Sequence, residues 1–298
     1  MKVLITGING FVGRYLKSYL LSLGYDVYGT DNQSHDVDTF QADIKDKDEL
    51  SKILSWVKPD EIYHLAGISH VTLGKTEDYY QVNTVGTLNL YEAVKQSCPE
   101  AKILFISSSN VYGTVPEHEQ PITERQPLHP VSHYASSKAG AEMLSYTYIS
   151  EGLHIVISRS FNHTGTGQLE NFIIPKLVKA FAAKQPFIEL GNTYTKRDFL
   201  DVRDVVRAYR IIAENGSPGD VFNVCSGTTY SIDDIIGYMH GLTNHRIEIR
   251  HAKAFMRSID PVLFVGDNTK IKKLGWNPEI PLTKTIEDML KACSERLI

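Results

Sequence analysis

The sequence predicts an α/β protein built on a doubly wound parallel sheet, followed by a smaller C-terminal α/β lobe. Three observations predict it. Short apolar runs alternate with amphipathic helical patterns through the first half, a glycine-rich turn separates the first strand from the first helix, and this rhythm breaks after Phe161. Strands alternating with helices of roughly 10–20 residues imply βαβ units. Their right-handed crossovers cover both faces of a parallel sheet.

The elements follow in order. Val3-Leu4-Ile5 is a buried strand, and Val12, Leu16, Tyr19, Leu20 and Leu23 mark the apolar stripe of the first helix. Val27–Thr30 is a second strand, Asp48–Val57 a helix and Glu61–Leu65 a third strand. One long helix is predicted over Asp78–Lys95, with Val82, Val85, Leu88, Leu90 and Val94 inward. Ile103–Ile106 is a strand, Tyr134–Tyr148 a helix and Ile155–Ile157 a strand. Residues 1–160 thus form a Rossmann-type domain. Residues 161–298 form mainly a second lobe, with the chain free to cross between the two. In that half, glycines at 165, 167 and 191 and prolines at 175, 186, 218, 261, 278 and 281 interrupt the chain. Short helices are predicted at 172–184 and 202–213, and strands are sparse.

Composition narrows the class. The 298 residues are 42% hydrophobic and carry a formal net charge of −4, which disfavours a nucleic-acid binder. The N-terminal apolar run is too short for a signal peptide, and no stretch reaches the length of a membrane span. A cytoplasmic protein without membrane partner is expected. Three widely spaced cysteines, Cys98, Cys225 and Cys293, suit neither a disulfide framework nor a zinc site. No metal is expected, and His163 reads as a hydrogen-bonded packing residue.

Two constellations carry chemistry. Gly7-Ile-Asn-Gly10-Phe-Val-Gly13 follows the first strand. There Gly7 permits the tight turn, Gly10 lets the backbone approach a pyrophosphate, and Gly13 allows the helix to pack on the strand. The helix N-terminus then offers free N–H groups to phosphates. Asp31 ends the second strand, where a carboxylate binds adenine-ribose hydroxyls and repels a 2′-phosphate. NAD(H) is favoured, and nearby Arg14 leaves NADP(H) open. The second constellation is Ser107-Ser108-Ser109 at a strand end, with Tyr134 and Lys138 one helical turn apart. An ammonium beside the phenol is expected to lower its pKa, so that Tyr134 exchanges a proton with a carbinol or carbonyl oxygen held by a serine. A second copy of the spacing, Tyr91-x-x-x-Lys95, lacks the serine-tipped strand and reads as structural.

These motifs, with HLAG at 64–67, SSSNVYG at 107–113, RSFNHTGTGQ at 159–168, RDFLDVRDVV at 197–206 and NVCSG at 223–227, resemble the extended short-chain dehydrogenase/reductases that modify nucleotide sugars. FNHTGTGQ, NVCSG and GWNPEIPL are most similar to GDP-4-keto-6-deoxy-D-mannose reductases. The resemblance implies a homodimer through two helices per subunit and a role in deoxysugar biosynthesis for surface glycans. It makes Ser108, Tyr134 and Lys138 the catalytic trio, with Asn83 assisting. It assigns Gly7, Gly10, Phe11, Val12, Gly13, Asp31, Asp43, Ile44, Leu65, Ala66 and Gly67 to the cofactor. Ser109, Asn110, Asn162 and Lys176 fall to the substrate, Arg197 and Arg257 to its diphosphate and Asp260 to its ribose. Guanidinium forks suit phosphates; the plainer reading of Arg197-Asp198 is a local ion pair.

The same scaffold hosts reductases, epimerases and dehydratases. Related dehydratases carry a carboxylate two residues before the tyrosine of Tyr112-Gly113, sometimes another three before. Asn110 and Ser109 stand there, which disfavours dehydration unless Glu117 or Glu119 compensates. The resemblance therefore implies NAD(P)H-dependent reduction of the C4 ketone of a nucleotide-linked 4-keto-6-deoxy sugar, GDP-4-keto-6-deoxy-mannose-like. A 4-epimerase that retains NAD is the alternative, ahead of a dehydratase or a non-catalytic dinucleotide sensor. Val131-Ser132-His133 replaces the proline relatives usually carry before this tyrosine, leaving room for a variant hexose or a heptose.

Overall fold

The computed structural model describes residues 1–33, 38–69, 75–255 and 260–297. Its strands are β1 (Lys2–Thr6), β2 (Asp26–Asp31), β3 (Thr39–Gln41), β4 (Glu61–His64), β5 (Lys102–Ser108), β6 (Ile155–Ser160), β7 (Asn162–Thr164), β8 (Phe187–Leu190), β9 (Lys196–Asp201), β10 (Val221–Val224), β11 (Thr229–Ser231), β12 (Glu248–His251) and β13 (Leu263–Phe264). Its helices are α1 (Phe11–Ser22), α2 (Lys47–Val57), α3 (Thr76–Tyr80), α4 (Gly86–Ser97), α5 (His133–Ser150), α6 (Ile173–Ala182), α7 (Val202–Asn215), α8 (Ile232–Thr243), α9 (Thr269–Lys272) and α10 (Leu282–Leu297).

Seven parallel strands form the main sheet in the order β10-β6-β5-β4-β1-β2-β3. Alternating residues of each strand feed two cores, because successive side chains point to opposite faces. On one face Leu4, Ile62, Ile103, Phe105, Ile155 and Ile157 meet Leu54 of α2 and Leu90 and Tyr91 of α4. On the other, Val3, Ile5, Leu104 and Val156 meet Leu16 and Leu20 of α1 and Val205, Tyr209 and Ile212 of α7. Both faces are covered, which is why the central strands read as unbroken apolar runs. A third core joins α6, α8 and α10 over β8 and β9.

Three details differ from the sequence expectation, which left the crossing of the chain open. Strand β3, only Thr39–Gln41, is too short to show a period. Among the described residues the second half holds seven strands, β7–β13, rather than few; they are two to six residues long and pair mostly in two small sheets. Strand β10 returns to the main sheet beside β6, and α7 packs against α1, so the chain crosses back after residue 161. The expected helix over 78–95 is α3, a π-helical turn at Gln81–Val85, and α4. Such turns recur at functional sites.

Gly13 also packs differently from expectation. A Cβ there would lie 2.4 Å from the Gly7 carbonyl oxygen and 2.6 Å from that of Ile8, so the close approach is to the turn rather than the strand. Both atoms are backbone and cannot swing away. Gly13→Ala is expected to cost about 1–3 kcal/mol of stability, read as a lower Tm by calorimetry.

Candidate active site

The C-terminal edge of β1 opens into the glycine turn. Gly7 has φ +71°, and a Cβ on it would lie 2.9 Å from the Ala66 nitrogen. Its own N–H donates to the Thr30 carbonyl at 2.7 Å. Gly10 is the N-cap of α1 and supplies no capping side chain. The first-turn N–H groups at Phe11 and Val12 therefore offer a phosphate the partner that a Ser or Asp cap would otherwise be. Asp31 sits beside this turn: its carboxylate accepts from the Asn9 N–H at 3.2 Å and the Gln33 N–H at 3.3 Å. Arg14 donates instead to the Gly167 carbonyl at 3.3 Å. Tyr15 donates to the Thr166 carbonyl at 2.8 Å, and Phe11 stacks on His163. The FNHTGTGQ segment thus lies against the first turns of α1. His163 is a packing residue here; its Nδ1–H donates to the Phe161 carbonyl at 3.0 Å, and burial holds its pKa down.

Leu65, Ala66 and Gly67 continue from β4 across the same edge. Beneath them His64, fully buried, is held in one tautomer. Thr87 Oγ1 donates to the Asn83 carbonyl at 2.7 Å, so it must accept from His64 Nε2–H at 2.9 Å. His64 Nδ1 then accepts from Thr6 Oγ1 at 2.8 Å, and Thr6 Oγ1 accepts from the Ala66 N–H at 3.1 Å. Desolvation first, then the Lys138 charge, lowers the His64 pKa to about 3. The chain of donors ends in the π turn, whose Asn83 accepts from Ile68 N–H at 2.8 Å and donates to the Ile68 carbonyl and Ser137 Oγ at 3.2 and 3.0 Å. A Cβ on Gly67 would lie 2.9 Å from Asn83 Oδ1 and 3.3 Å from Lys138 Nζ. Ile44 is buried against Gly86 at the start of α4. Asp43 is exposed and accepts from the Lys45 N–H at 2.9 Å.

Helix α5, capped by Ser132, brings Tyr134 and Lys138 to the end of β5. Ser108 is 7%, Tyr134 8% and Lys138 5% exposed. Tyr134 shares a side-chain hydrogen bond with Ser108, and Lys138 Nζ donates to the Ile106 carbonyl at 2.9 Å. The expected lowering of the tyrosine pKa is not what these atoms give. Burial pushes Tyr134 up, and the Ser108 hydrogen bond opposes it. Burial also lowers Lys138 to about 8, against the Glu142 carboxylate. With burial dominant, the tyrosine is an acid in this arrangement, a proton donor rather than a preformed phenolate. Tyr91, the second copy, is fully buried and bonded to Ser145, while Lys95 pairs with Glu151 at the surface.

The substrate candidates gather less tightly. Asn110 is exposed and Ser109 buried in the turn after Ser108. Asn162 donates to the Asp198 carbonyl at 3.1 Å. Arg197 and Asp260 face each other, with NH2 to Oδ1 at 2.5 Å, and Asn192 also donates to Asp260 at 3.0 Å. Lys176 lies away along α6, donating to the Glu189 carbonyl at 2.7 Å and 4.1 Å from the Phe255 ring centroid. Arg257 lies outside the described residues. Arg197 does not pair with Asp198, since neighbours on a strand point to opposite faces. Asp198 turns inward to accept from Ser226 N–H, Ser226 Oγ and Gly227 N–H at 2.8, 2.7 and 2.9 Å. Burial, opposed by these hydrogen bonds, brings it up to about 6.

The chain matches known proteins over almost its whole length. Residues 4–289 match the family described as GDP-mannose 4,6 dehydratase. The chain belongs to this family. It is 33% identical to GDP-6-deoxy-D-mannose reductase of Pseudomonas aeruginosa, covering 99% of this chain and 98% of that one. Among solved structures, RMD from Pseudomonas aeruginosa complexed with NADPH superposes with TM-score 0.88 at 32% identity, covering 99% and 98%. The UDP-glucose 4-epimerase of Thermotoga maritima with UDP-glucose superposes with TM-score 0.91 at 26% identity, covering both chains completely. The fold is therefore the Rossmann-type fold of the extended short-chain dehydrogenase/reductases.

After β5 this chain carries Ser109 and Asn110, which offer no carboxylate. Glu119 accepts from Gln126 Nε2 at 3.0 Å, and Glu117 is exposed in the same short turn. Sequence reasoning missed a buried polar network behind the site. Glu142 of α5 takes Arg159 of β6 through Nε and NH2, the latter at 2.7 Å, and Ser107 through its hydroxyl. Arg159 NH1 continues to Tyr112 Oη at 3.1 Å, and Tyr112 donates to Asn223 Oδ1 at 2.7 Å. One signal was available: an arginine inside the apolar strand Ile155–Ser160 demands a buried partner.

His64 sets an acid-side prediction. Its folded pKa lies below the unfolded value, so the unfolded chain binds more protons between pH 6.5 and about 3. Its neutral burial is without penalty above pH 6.5, and stability is lost as pH falls below that value. Relative to a His64→Gln variant, the wild-type chain should lose about 3 kcal/mol between pH 6.5 and 4, measured by urea unfolding at each pH.

Proposed function

We propose that the protein reduces the C4 ketone of a GDP-linked 4-keto-6-deoxy sugar in the cytoplasm, within deoxysugar biosynthesis. The observation that carries this reading is the buried Tyr134, held protonated and hydrogen-bonded to Ser108, on an edge whose dehydratase positions hold Ser109 and Asn110. The uncapped start of α1 and the Asp31 carboxylate fit a nicotinamide dinucleotide: the former takes the pyrophosphate, the latter the adenine ribose. Asp43, Ile44, the 65–67 segment, Asn83 and Lys138 would hold the rest of the dinucleotide, Lys138 its nicotinamide ribose. When bound, the dinucleotide supplies the hydride for C4.

The residues do the rest. Ser108 donates a hydrogen bond to the ketone oxygen, and Tyr134 gives its proton to the alkoxide as negative charge develops there. Lys138 stabilises the phenolate left behind. Arg197 faces the diphosphate and Asp260 the nucleoside ribose, with Asn162, Ser109 and Asn110 about the sugar; Lys176 and Arg257 complete the set. Asp31 favours NADH, because its carboxylate would accept from the adenine-ribose hydroxyls and repel a 2′-phosphate, while Arg14 donates to the Gly167 carbonyl.

A 4-epimerase that retains NAD is the second reading, favoured by the same Asp31 and by the full-length likeness to UDP-glucose 4-epimerase. It would purify with bound cofactor and convert a nucleotide sugar without consuming NADH. Exposed Met143 and Tyr146 on the outer face of α5 support a homodimer through that helix.

Three measurements test this. With GDP-, CDP-, UDP- and dTDP-linked 4-keto-6-deoxy sugars, stoichiometric NADH oxidation should be greatest for the GDP sugar. Tyr134→Phe should lower kcat by about 10²–10⁴ with dinucleotide affinity unchanged. Asp31→Ser should raise the NADPH/NADH ratio of kcat/KM by about tenfold or more, because it removes the repulsion of a 2′-phosphate. Normal turnover by Tyr134→Phe would refute the mechanism.

A further inference from the structure

Three consecutive residues at the end of β5 are held by three residues of one helical face. Ile106 accepts through its carbonyl from Lys138, Ser107 donates to Glu142, and Ser108 bonds to Tyr134. Residues 134, 138 and 142 are spaced by four and so stack along α5. Two of these pairs belong to the chemistry proposed above; the Ser107–Glu142 pair is unaccounted for by it. Glu142 is fully buried, as is nearly all of Arg159, its partner. Two charges are left in this interior only if each is fully satisfied. Arg159 meets that condition through Glu142, Tyr112 Oη and the Glu124 carbonyl.

We propose that Glu142 is a positioning residue of the reaction: held by Arg159, its carboxylate clamps Ser107 so that Ser108 meets Tyr134, and it supplies the negative charge facing Lys138. This inference rests on Tyr134 acting as the proton donor. The other groups around Lys138 leave Glu142 as its counter-charge. On β4, His64 is neutral. On α7, Tyr209 shares a hydrogen bond with Ser160. In the π turn, Asn83 and on α5 itself Ser137 are uncharged. At the two ends of α5, His133 contacts Tyr80 of α3, and Glu92 of α4 is taken by Tyr148. Tyr112 lies beyond Arg159. A carboxylate one turn along the helix opposes the burial that otherwise strips the proton from Lys138.

The test is the pH profile of ketone reduction with the GDP-linked 4-keto-6-deoxy sugar and NADH. The alkaline limb of kcat reports loss of the proton held between Tyr134 and Lys138. Glu142→Gln keeps the shape of the side chain but removes its charge and leaves Arg159 positive, so the limb should move down by about one pH unit. At pH 7.5 kcat should fall about tenfold or more, with KM for the sugar and NADH affinity within about threefold. Glu142→Asp keeps the charge on a shorter arm; it should lower kcat while leaving the limb where the wild type has it. If Glu142→Gln does not fold, Glu142→Gln/Arg159→Met removes both charges, and its limb should move in the same direction.

A folded Glu142→Gln or double variant with the wild-type limb and kcat would overturn the proposal. So would a variant whose only change is a lower Tm. Tyr134→Phe is measured alongside. If it retains activity, the proton-donor reading fails; if it is inactive while the Glu142 variants behave as wild type, only the role of Glu142 fails.

Discussion

The Glu142–Arg159 pair is the interaction on which the arrangement of this protein turns. Both groups lie in the interior, where each ion leaves several kcal/mol of hydration behind, and the chain recovers this only by saturating them. Arginine suits the task because its planar fork takes the carboxylate with two nitrogens and leaves a third for Tyr112 and the Glu124 carbonyl. The partners come from β5, β6, α5 and the loop after β5. Through Tyr112 the network reaches Asn223 on β10, whose Nδ2 donates to the Ile122 carbonyl at 2.8 Å. A shift of any one element would leave a buried donor or acceptor unpaired, and that penalty fixes α5 against the sheet more tightly than apolar contact alone.

The same edge shows how the two halves of the chain meet. The turn after β1 is shaped for a polyanion, with a helix start that no side chain caps, and the FNHTGTGQ segment lies directly on that helix. Phe11 and Tyr15 of α1 contact His163 and Thr166, so the residues that would carry cofactor and substrate share one wall. With a formal charge of −4 overall, capture of two polyanionic ligands would depend on such local donors rather than on the long-range field. The neutral His64 lies beneath the 65–67 segment. Its hydrogen bonds run one way, from the Ala66 N–H to the Asn83 carbonyl, and tie the loop to the π turn without placing a second positive charge beside Lys138.

Much of this was legible in the sequence because its signals are local. The glycine turn needs positive φ at Gly7 and no Cβ at Gly13, and both needs are written as residue types at fixed spacing. The strand–helix rhythm of the first half follows from strands buried on two faces. The serine-tipped strand, Tyr134 and Lys138 were found the same way. What stayed hidden rests on contacts distant in sequence. Strand β3 has three residues and no period, and β10 reads as an ordinary apolar run until its pairing with β6 places it in the main sheet. The π turn lies inside a helix with unbroken apolar periodicity.

Composition, turn chemistry and periodicity therefore determined the fold class and most of the first-half order of elements, because each depends on residues within a few positions of one another. The tertiary structure alone decided the partners of buried charges. Asp198 belongs to the Ser226–Gly227 turn and not to Arg197. The Tyr134 phenol is raised rather than lowered, because burial outweighs the opposing Ser108 hydrogen bond. Electrostatics depends on three-dimensional distance and on the exclusion of water, and neither is a property of spacing along the chain.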